Sequence, residues 1–334
     1  MVSLHAEWTL GAGDDMNEPE GERIALFAAG GRLLRVIVIL LSLMVASGPA
    51  SALKFAPVTT PDGRPVLLVY DCGLFKADGH CLEHEEGFSG ADRKYPGDAA
   101  VLDGALRERA YSEVWLYSGG GDLAEGVKVG EVLRRHQAFV VVPDGSRCIS
   151  ACTVAFLGGV LRDVQQKGTY EVHAYSAQGG LEYKEHLKFT HQDGEFALDK
   201  FVAWASATGQ GWAKRLFLYV QQMIGGAPNE RLVDGVLARA PKYLETYRSR
   251  GTSRQDLARM RTEGVAATQE ILMRIERESF ESRLAFLKAH ADELGPRSRP
   301  AIKMLEIMFS SRIAGTATLE QVTLKENGYI NVRR

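Results

Sequence analysis

The stretch that decides the fold reads Glu-Val-Trp-Leu-Tyr-Ser-Gly-Gly-Gly-Asp and covers residues 113–122. Its first half, Glu113–Tyr117, is rich in apolar and aromatic residues and predicts a buried strand. The three glycines that follow predict a tight turn, because glycine adopts backbone angles that other residues avoid. A helix is then predicted from near Asp122 to about His136. A strand joined in this way to a helix is typical of the βαβ units of α/β proteins.

The same alternation of strand and helix continues on both sides of this stretch. The other predicted elements are strands at Val66–Tyr70, Phe139–Val142 and Thr169–His173, a helix at Asp98–Arg109 and a short buried helix from Ser150. This order predicts an α/β fold with a mostly parallel sheet and right-handed crossovers. The glycine- and charge-rich residues 72–97 are predicted to form a surface loop.

A helical region follows the alternating part of the chain. Residues 174–195 predict a loop, and residues 196–224 predict a helix with a break at 208–211. From about 241 to 312 the pattern is helical, so we expect one domain at 53–240 and a helical addition with a closing segment at 241–334. One apolar side of the addition comprises Leu257, Met260, Val265, Ile271, Ile275, Phe280, Leu284 and Leu287. Such a side is typical of a core or of a subunit contact, so a homo-oligomer is compatible with the sequence.

The N-terminal region has the layout of a secretory signal. Arg32 and Arg35 precede an apolar run at 36–45, and Ala50-Ser51-Ala52 offers a small-residue cleavage site. Acidic residues earlier in the chain are unusual for such a signal, so residues 1–52 predict a signal peptide with an atypical extension. We expect cleavage after Ala52 and a periplasmic or secreted product with only transient membrane contact. The alternative is an uncleaved membrane anchor, for which the apolar run is short.

The charge balance argues against one class of partner. Forty basic residues stand against 42 acidic ones, which leaves a formal net charge of -2. No tract of lysine and arginine is long enough to follow a phosphate backbone, so nucleic acid is not expected as a partner. No cofactor is predicted either.

If the chain is exported, its four cysteines reach an oxidising compartment, where cysteines form disulfides. A disulfide between Cys72 and Cys81 would close a short loop and is the favoured pairing. Zinc is the alternative there, since histidines lie nearby, but the paired-ligand spacing of structural zinc sites is missing and no metal is predicted. Cys148 and Cys152 either bond to each other or serve as buried small residues.

Three motifs carry chemistry in order along the chain: YSGGGD at 117–122, CISAC at 148–152 and EVH at 171–173. A glycine turn before a helix leaves backbone N–H groups that can stabilise an oxyanion, so Gly120 or Gly121 is one candidate donor and Ala151 the second. Ser150 is the candidate nucleophile, with an ordinary helix N-cap serine as the alternative. His173 ends a predicted parallel strand at the same sheet edge and is the candidate base, with a structural histidine as the alternative.

The order and spacing of these motifs resemble the Clp protease proteolytic subunit of the crotonase-like superfamily, and most closely periplasmic proteins predicted to share its fold. The resemblance covers roughly residues 65–240. It implies a parallel sheet with repeated βαβ units, an oxyanion turn at 118–121, Ser150 as nucleophile and His173 as base. It also implies a third member, for which Asp234 is the best match and Asp193 and Asp199 are rivals. Gly119 stands where the family has proline, and the helical addition makes Clp-like rings doubtful.

The resemblance implies an exported serine hydrolase that acts as a peptidase on polypeptide substrates through an acyl-enzyme on Ser150. A Ser-Lys peptidase would need Lys184 or Lys188 beside that serine. A crotonase-like enzyme would use the glycine turn on a thioester without a serine. The non-enzymatic alternative is an envelope module of the same fold that binds polypeptide without cleaving it.

Overall fold

The computed structural model describes residues 53–75, 81–84, 87–91, 95–174, 195–309 and 315–332. The predicted signal peptide and its alternative as a membrane anchor therefore lie outside the described residues. Within the described ranges, no helix combines the length and the apolar character that a membrane crossing needs.

The chain divides into two compact units. One contains the described residues up to Glu171 together with Ile330 and the residues after it, and the other is Val172–Tyr329. The sequence placed the boundary near residue 240. The difference arises because the helix that begins at residue 195 packs along the later helices of the second unit.

The first unit contains a mixed α/β arrangement. Its strands are β1 (Lys54–Thr59), β2 (Pro65–Tyr70), β3 (Cys72–Phe75), β4 (Cys81–His84), β5 (Glu113–Tyr117), β6 (Phe139–Val142), β7 (Arg147–Ile149), β8 (Leu161–Val164) and β9 (Thr169–Val172), the last of which ends at the boundary. Its helices are α1 (Asp98–Glu108), α2 (Leu123–Arg135) and α3 (Ala151–Phe156). The α/β class predicted from the sequence is confirmed.

The main sheet has the strand order β1-β2-β5-β6-β8. β1 runs antiparallel to β2, and the remaining neighbours are parallel. Every residue of β5 is buried, which explains why it reads as a continuous apolar run rather than as an alternating one. Val66, Trp115 and Val141 form a core cluster on three adjacent strands of this sheet.

The loop predicted at 72–97 is wrong in part. β3 and β4 form an antiparallel hairpin within it, and the disulfide between Cys72 and Cys81 joins the two strands. Phe88 is also buried and forms an isolated bridge with Gly121. These strands are too short and too polar to show a period of two, so the sequence pattern did not reveal them.

Asp98 anchors the start of α1, where the sequence placed a helix. Its carboxylate is fully buried and accepts hydrogen bonds from the Leu53 N–H (3.0 Å), the Ser89 N–H (2.6 Å) and the Tyr95 hydroxyl. Burial raises the pKa of this carboxyl above its ordinary value, although the hydrogen bonds oppose that shift. One side chain therefore ties together three segments that precede the helix.

A segment near the end of the chain covers the edge of β8. The Asn331 N–H donates to the Arg162 carbonyl at 3.1 Å, and the Arg162 N–H donates to Asn331 Oδ1 at 2.7 Å. The Asn331 amide also donates to the Val160 carbonyl at 2.9 Å. The backbone groups of an edge strand otherwise invite pairing with another chain, so this segment protects them.

The second unit is mostly helical. Its elements are α4 (Glu195–Met223), α5 (Glu230–Leu237), α6 (Tyr243–Ser249), α7 (Thr252–Ala289), a 3-10 turn (Ala291–Leu294), α8 (Ser298–Phe309), β10 (Ala317–Thr318) and α9 (Gln321–Glu326). The break predicted at 208–211 is wrong, because α4 is continuous there. A Cβ at Gly209 would lie 2.2 Å from the Glu276 carbonyl oxygen, so this glycine allows close packing of α4 on α7.

The predicted apolar side of the helical addition is largely buried. Ile271, Ile275 and Phe280 are inaccessible to solvent. Val265 is 48% exposed and follows Gly264, whose φ of 75° interrupts α7. The kink changes the face that each residue presents, which a straight helical period does not anticipate.

Candidate active site

Ser150 occupies a sharp turn between β7 and α3 with φ 56° and ψ −120°. A residue with a side chain rarely adopts a positive φ, and such a conformation costs about 1–3 kcal/mol unless the surroundings impose it. The Ser150 side chain stands at the N-cap position of α3 but makes no capping hydrogen bond. The N-cap alternative therefore does not describe what this hydroxyl does.

The backbone of Ser150 is held on both sides. Its N–H donates to the Glu171 carbonyl at 3.2 Å, which extends the parallel pairing of β7 with β9 by one step. Its carbonyl accepts from the Thr153 N–H at 2.9 Å and from the Thr153 hydroxyl at 2.6 Å. Within the described part of the first unit, the Ser150 hydroxyl itself has no hydrogen-bond partner.

A disulfide between Cys148 and Cys152 brackets Ser150. The two cysteines are fully buried, one on β7 and one in the first turn of α3, at a sequence separation of 4. The sequence left open whether these cysteines are bonded or serve only as small buried residues. Their bond closes a ring of backbone whose central residue is the serine, and it therefore restricts the angles available to Ser150.

The glycine turn lies directly against Ser150. A Cβ built on Gly120 would be 2.6 Å from the Ser150 Cβ and 3.3 Å from its Oγ. Gly120 and Gly121 also have φ values of 110° and 134°. Only glycine allows both the backbone angles and this approach, so the structure brings the predicted turn and the predicted nucleophile together.

The N–H groups of the turn differ in whether they are engaged. The Gly119 N–H donates to Asp71 Oδ2 at 2.7 Å, and the Gly120 N–H donates to the Ser118 hydroxyl at 3.1 Å. Among the residues that the structure describes, the N–H groups of Gly121 and Ala151 have no hydrogen-bond partner. Of the two glycine donors that the sequence allowed, Gly121 is therefore the one available to a ligand.

Asp71 was missed by sequence reasoning. It follows β2 directly, is fully buried and accepts from the Ser118 hydroxyl at 2.6 Å as well as from Gly119. A signal was present, since a polar residue just after a buried strand lies at the carboxyl edge of a parallel sheet, where sites form. Asp71 stands between the predicted strand, which ends at Tyr70, and the loop predicted from residue 72, so it was assigned to neither element.

A salt bridge fixes the strand pair beneath the serine. The Glu171 carboxylate is mostly buried and accepts from Arg147 Nε at 2.9 Å and from Arg147 Nη2 at 2.7 Å and 2.9 Å. This two-point contact joins the first residue of β7 to β9. It was also not foreseen, because the partners are 24 residues apart.

His173 is the second residue of the second unit, and its side chain is half-buried. Its Nδ1 lies 2.9 Å from the Ala174 carbonyl oxygen. A carbonyl oxygen can only accept, so Nδ1 carries the proton in this bond and the neutral ring keeps the lone pair on Nε2. That is the form that a general base needs.

Asp234, the favoured third member, lies on α5 and is 54% exposed. Lys214 Nζ is 2.5 Å from its carboxylate and 2.9 Å from that of Glu230. Asp234, followed by Glu230, raises the pKa of Lys214 above its ordinary value. Within the described part of the second unit, no carboxylate hydrogen-bonds to His173. This geometry favours a helix-surface ion pair for Asp234.

The remaining candidates from the sequence differ in how far the structure describes them. Cys72 and Cys81 form the favoured disulfide, so their sulfurs are not thiolates that could bind zinc. Asp193, Lys184 and Lys188 lie outside the described residues. Asp199 lies in α4, but its side chain is not described.

Comparison of the chain with protein-family models, with curated proteins and with solved structures found no match.

Proposed function

We propose that this chain is an exported serine hydrolase in which Ser150 is the nucleophile. The observation that carries the proposal is the backbone of Ser150 at φ 56° and ψ −120°, between a strand and a helix. Serine nucleophiles are presented on sharp strand-to-helix turns of this kind, because the turn exposes the hydroxyl. Strain of this size persists where the surroundings impose it, and such sites are often functional.

The amide groups next to the hydroxyl support acyl transfer. Gly121 and Ala151 supply N–H groups that the described protein leaves unpaired. An oxyanion that forms when Oγ attacks a carbonyl carbon needs two such donors. The N–H of the residue after the nucleophile is a recurrent choice for one of them.

His173 is the proposed general base. Its Nε2 would accept the Ser150 proton while Oγ bonds to the carbonyl carbon of a polypeptide substrate, and would then give that proton to the leaving amine. Water would then attack the acyl-enzyme, with Nε2 taking a proton from the water and returning it to Oγ as the acyl group leaves. The Ala174 carbonyl, rather than Asp234, holds the tautomer that this role requires.

The fold that we propose is of the Clp-protease and crotonase type. The order of glycine turn, serine and histidine supports it, as does the parallel arrangement of β2, β5, β6 and β8. A glycine turn that follows β5 and a serine that follows β7 are the two features of that family that the first unit contains. The stretch from Thr318-Leu319-Glu320 to Gly328-Tyr329-Ile330 supports it further, since it resembles the closing segment of that family.

The test is labelling of the exported protein with a fluorophosphonate probe, which reacts with activated serines. Wild-type protein should be labelled, Ser150→Ala should not, and His173→Ala should be slowed by about 10²-fold or more. His136→Ala is the matched control, because His136 lies at the end of α2 and pairs with Asp103 instead. Equal labelling of wild type and Ser150→Ala would refute the proposal. A folded but unlabelled wild type would favour the polypeptide-binding module.

A further inference from the structure

We infer that Asp71 is a positioning residue that holds the glycine turn so that the Gly121 N–H faces the reacting group. The inference rests on the proposed hydrolase and deepens it. The contacts of Asp71 that carry the inference are with Ser118 and Gly119. Asp71 acts through the turn.

The first step concerns the inner side of the turn. The buried Asp71 carboxylate accepts from the Ser118 hydroxyl and from the Gly119 N–H through a single oxygen, Oδ2. A hydroxyl has one proton, and the Ser118 hydroxyl donates it in the hydrogen bond to Asp71. The lone pairs of Ser118 are then free to accept the Gly120 N–H at 3.1 Å. Three consecutive donors are thereby directed inward.

The second step concerns the outer side. The Phe88 N–H donates to the Gly120 carbonyl at 2.9 Å, and the Phe88 carbonyl accepts from the Asp122 N–H at 2.8 Å. In a planar trans peptide the C=O and the N–H point in opposite directions. Since the Gly120 carbonyl is held by Phe88, the Gly121 N–H of the same peptide is directed away from Phe88.

Together these contacts determine which N–H group of the turn is available to a ligand. The Ser118 N–H donates to the Arg147 carbonyl at 2.8 Å, and the N–H groups of Gly119 and Gly120 donate to Asp71 and to the Ser118 hydroxyl. The next N–H in order is that of Gly121, which is unpaired among the described residues. Glycines flip readily between backbone conformations, so a turn of three glycines needs an external constraint. Asp71 supplies that constraint through one buried oxygen, which accepts from both the Ser118 hydroxyl and the Gly119 N–H.

The space around Asp71 leaves little room for an alternative arrangement. A Cβ built on Gly87 would lie 2.7 Å from Asp71 Oδ2 and 1.9 Å from the Gly120 carbonyl oxygen. The segment at 87–88 therefore packs against both the carboxylate and the turn. Gly87 and Phe88 therefore restrain the turn together with Asp71.

The experiment uses the full exported protein and measures the rate constant of labelling by the fluorophosphonate. Asp71→Ala should slow labelling by about 10- to 100-fold, less than the full loss of an oxyanion donor because the N–H is misplaced rather than removed. Asp71→Asn keeps an acceptor oxygen and should stay within about threefold of wild type. Ser118→Ala should match Asp71→Ala, and the double variant should be no slower than either, since the two act as one unit.

The matched control is Glu113→Ala. Glu113 is also a buried carboxylate of the same unit and accepts from Trp115 Nε1 at 2.5 Å, but it lies at the opposite end of β5 from the turn. Glu113→Ala should lower thermal stability without slowing labelling. The inference is overturned if Asp71→Ala is labelled at the wild-type rate, or if Glu113→Ala slows labelling as much. If Asp71→Ala does not fold, Asp71→Asn and Ser118→Ala carry the same comparison.

A second measurement separates this inference from the proposed function. If folded wild-type protein is not labelled, the hydrolase proposal fails, and the turn is followed instead through the amide resonances of glycine labelled with nitrogen-15. Asp71→Asn should then leave the Gly121 resonance near its wild-type position, and Ser118→Ala should shift it. Unchanged Gly119, Gly120 and Gly121 resonances in Ser118→Ala would overturn the positioning role.

Discussion

Removal of the disulfide around Ser150 tests whether the ring sustains the strained serine. The double variant Cys148→Ala/Cys152→Ala opens a ring with a sequence separation of 4. Loop-closure entropy for a ring of this size gives a loss of about 2 kcal/mol in the free energy of unfolding. That is comparable with the about 1–3 kcal/mol stored in a positive φ, so opening the ring should let Ser150 relax.

The expected loss of reactivity follows from this magnitude. Each 1.4 kcal/mol is about a factor of ten in an equilibrium, so release of about 2 kcal/mol of the strain in the positive φ would lower the population of the strained conformer about 30-fold. We expect the fluorophosphonate labelling rate to fall by about 10- to 30-fold. Because both sulfurs are buried, a thiol reductant should not reproduce the effect until the protein opens locally.

Two assays on the same samples decide the matter: denaturant unfolding for stability and labelling for reactivity. Leu102→Ala is the control, because Leu102 is fully buried in α1 and its loss costs about 2–5 kcal/mol without touching the ring. The reasoning is refuted if the ring variant labels as fast as wild type. It is equally refuted if Leu102→Ala slows labelling to the same degree, since reactivity would then follow stability alone.

Three further predictions concern single residues. Gly120→Ala should reduce labelling by at least about 100-fold and lower the melting temperature. The new Cβ would lie 2.6 Å from the Ser150 Cβ, and the φ of residue 120 is 110°. Labelling at the wild-type rate would contradict this close approach. Asp234→Asn should change the free energy of unfolding by no more than about 1 kcal/mol and the labelling rate by less than about twofold, because the ion pair of Asp234 with Lys214 is exposed. A loss of labelling of about a hundredfold would instead support Asp234 as the residue that orients His173. Hydrogen bonds from His136, and next from Arg135, hold the pKa of the Asp103 carboxyl below its ordinary value. The stability that this carboxylate supplies is therefore present above its unfolded pKa of about 3.9 and is lost as the pH falls through the lower folded pKa. Denaturation curves at a series of acidic pH values should show this loss in wild type and a smaller one in Asp103→Asn.

The sequence predicted those parts of the candidate site that depend on local pattern. β5 is apolar from Val114 to Tyr117, the turn after it contains three glycines, and Asp122 caps α2 with a side chain that accepts from the Glu125 N–H. Each of these signals lies within a few residues of the element that it specifies. The short helix at Ser150 was predicted for the same reason, although the positive φ of this serine was not.

What the sequence did not reveal depends on partners that are distant along the chain. Asp71 accepts hydrogen bonds from residues 47 and 48 positions away, and in the sequence it is one polar residue between a predicted strand and a predicted loop. Gly209 was read as a helix break because no local pattern shows that α7 approaches it. The bond between Cys148 and Cys152 depends on the geometry of a turn that residue spacing alone does not fix.

The contact between Asn331 and Arg162 joins groups 169 residues apart along the chain. While the polypeptide emerges from the ribosome, β8 is made long before the segment that pairs with its outer edge. Contacts of such long sequence separation form slowly, because the intervening loop must close before they repay its entropy. Completion of the first unit therefore waits for synthesis to reach residue 331, and a shorter chain would leave the outer edge of β8 open to aggregation.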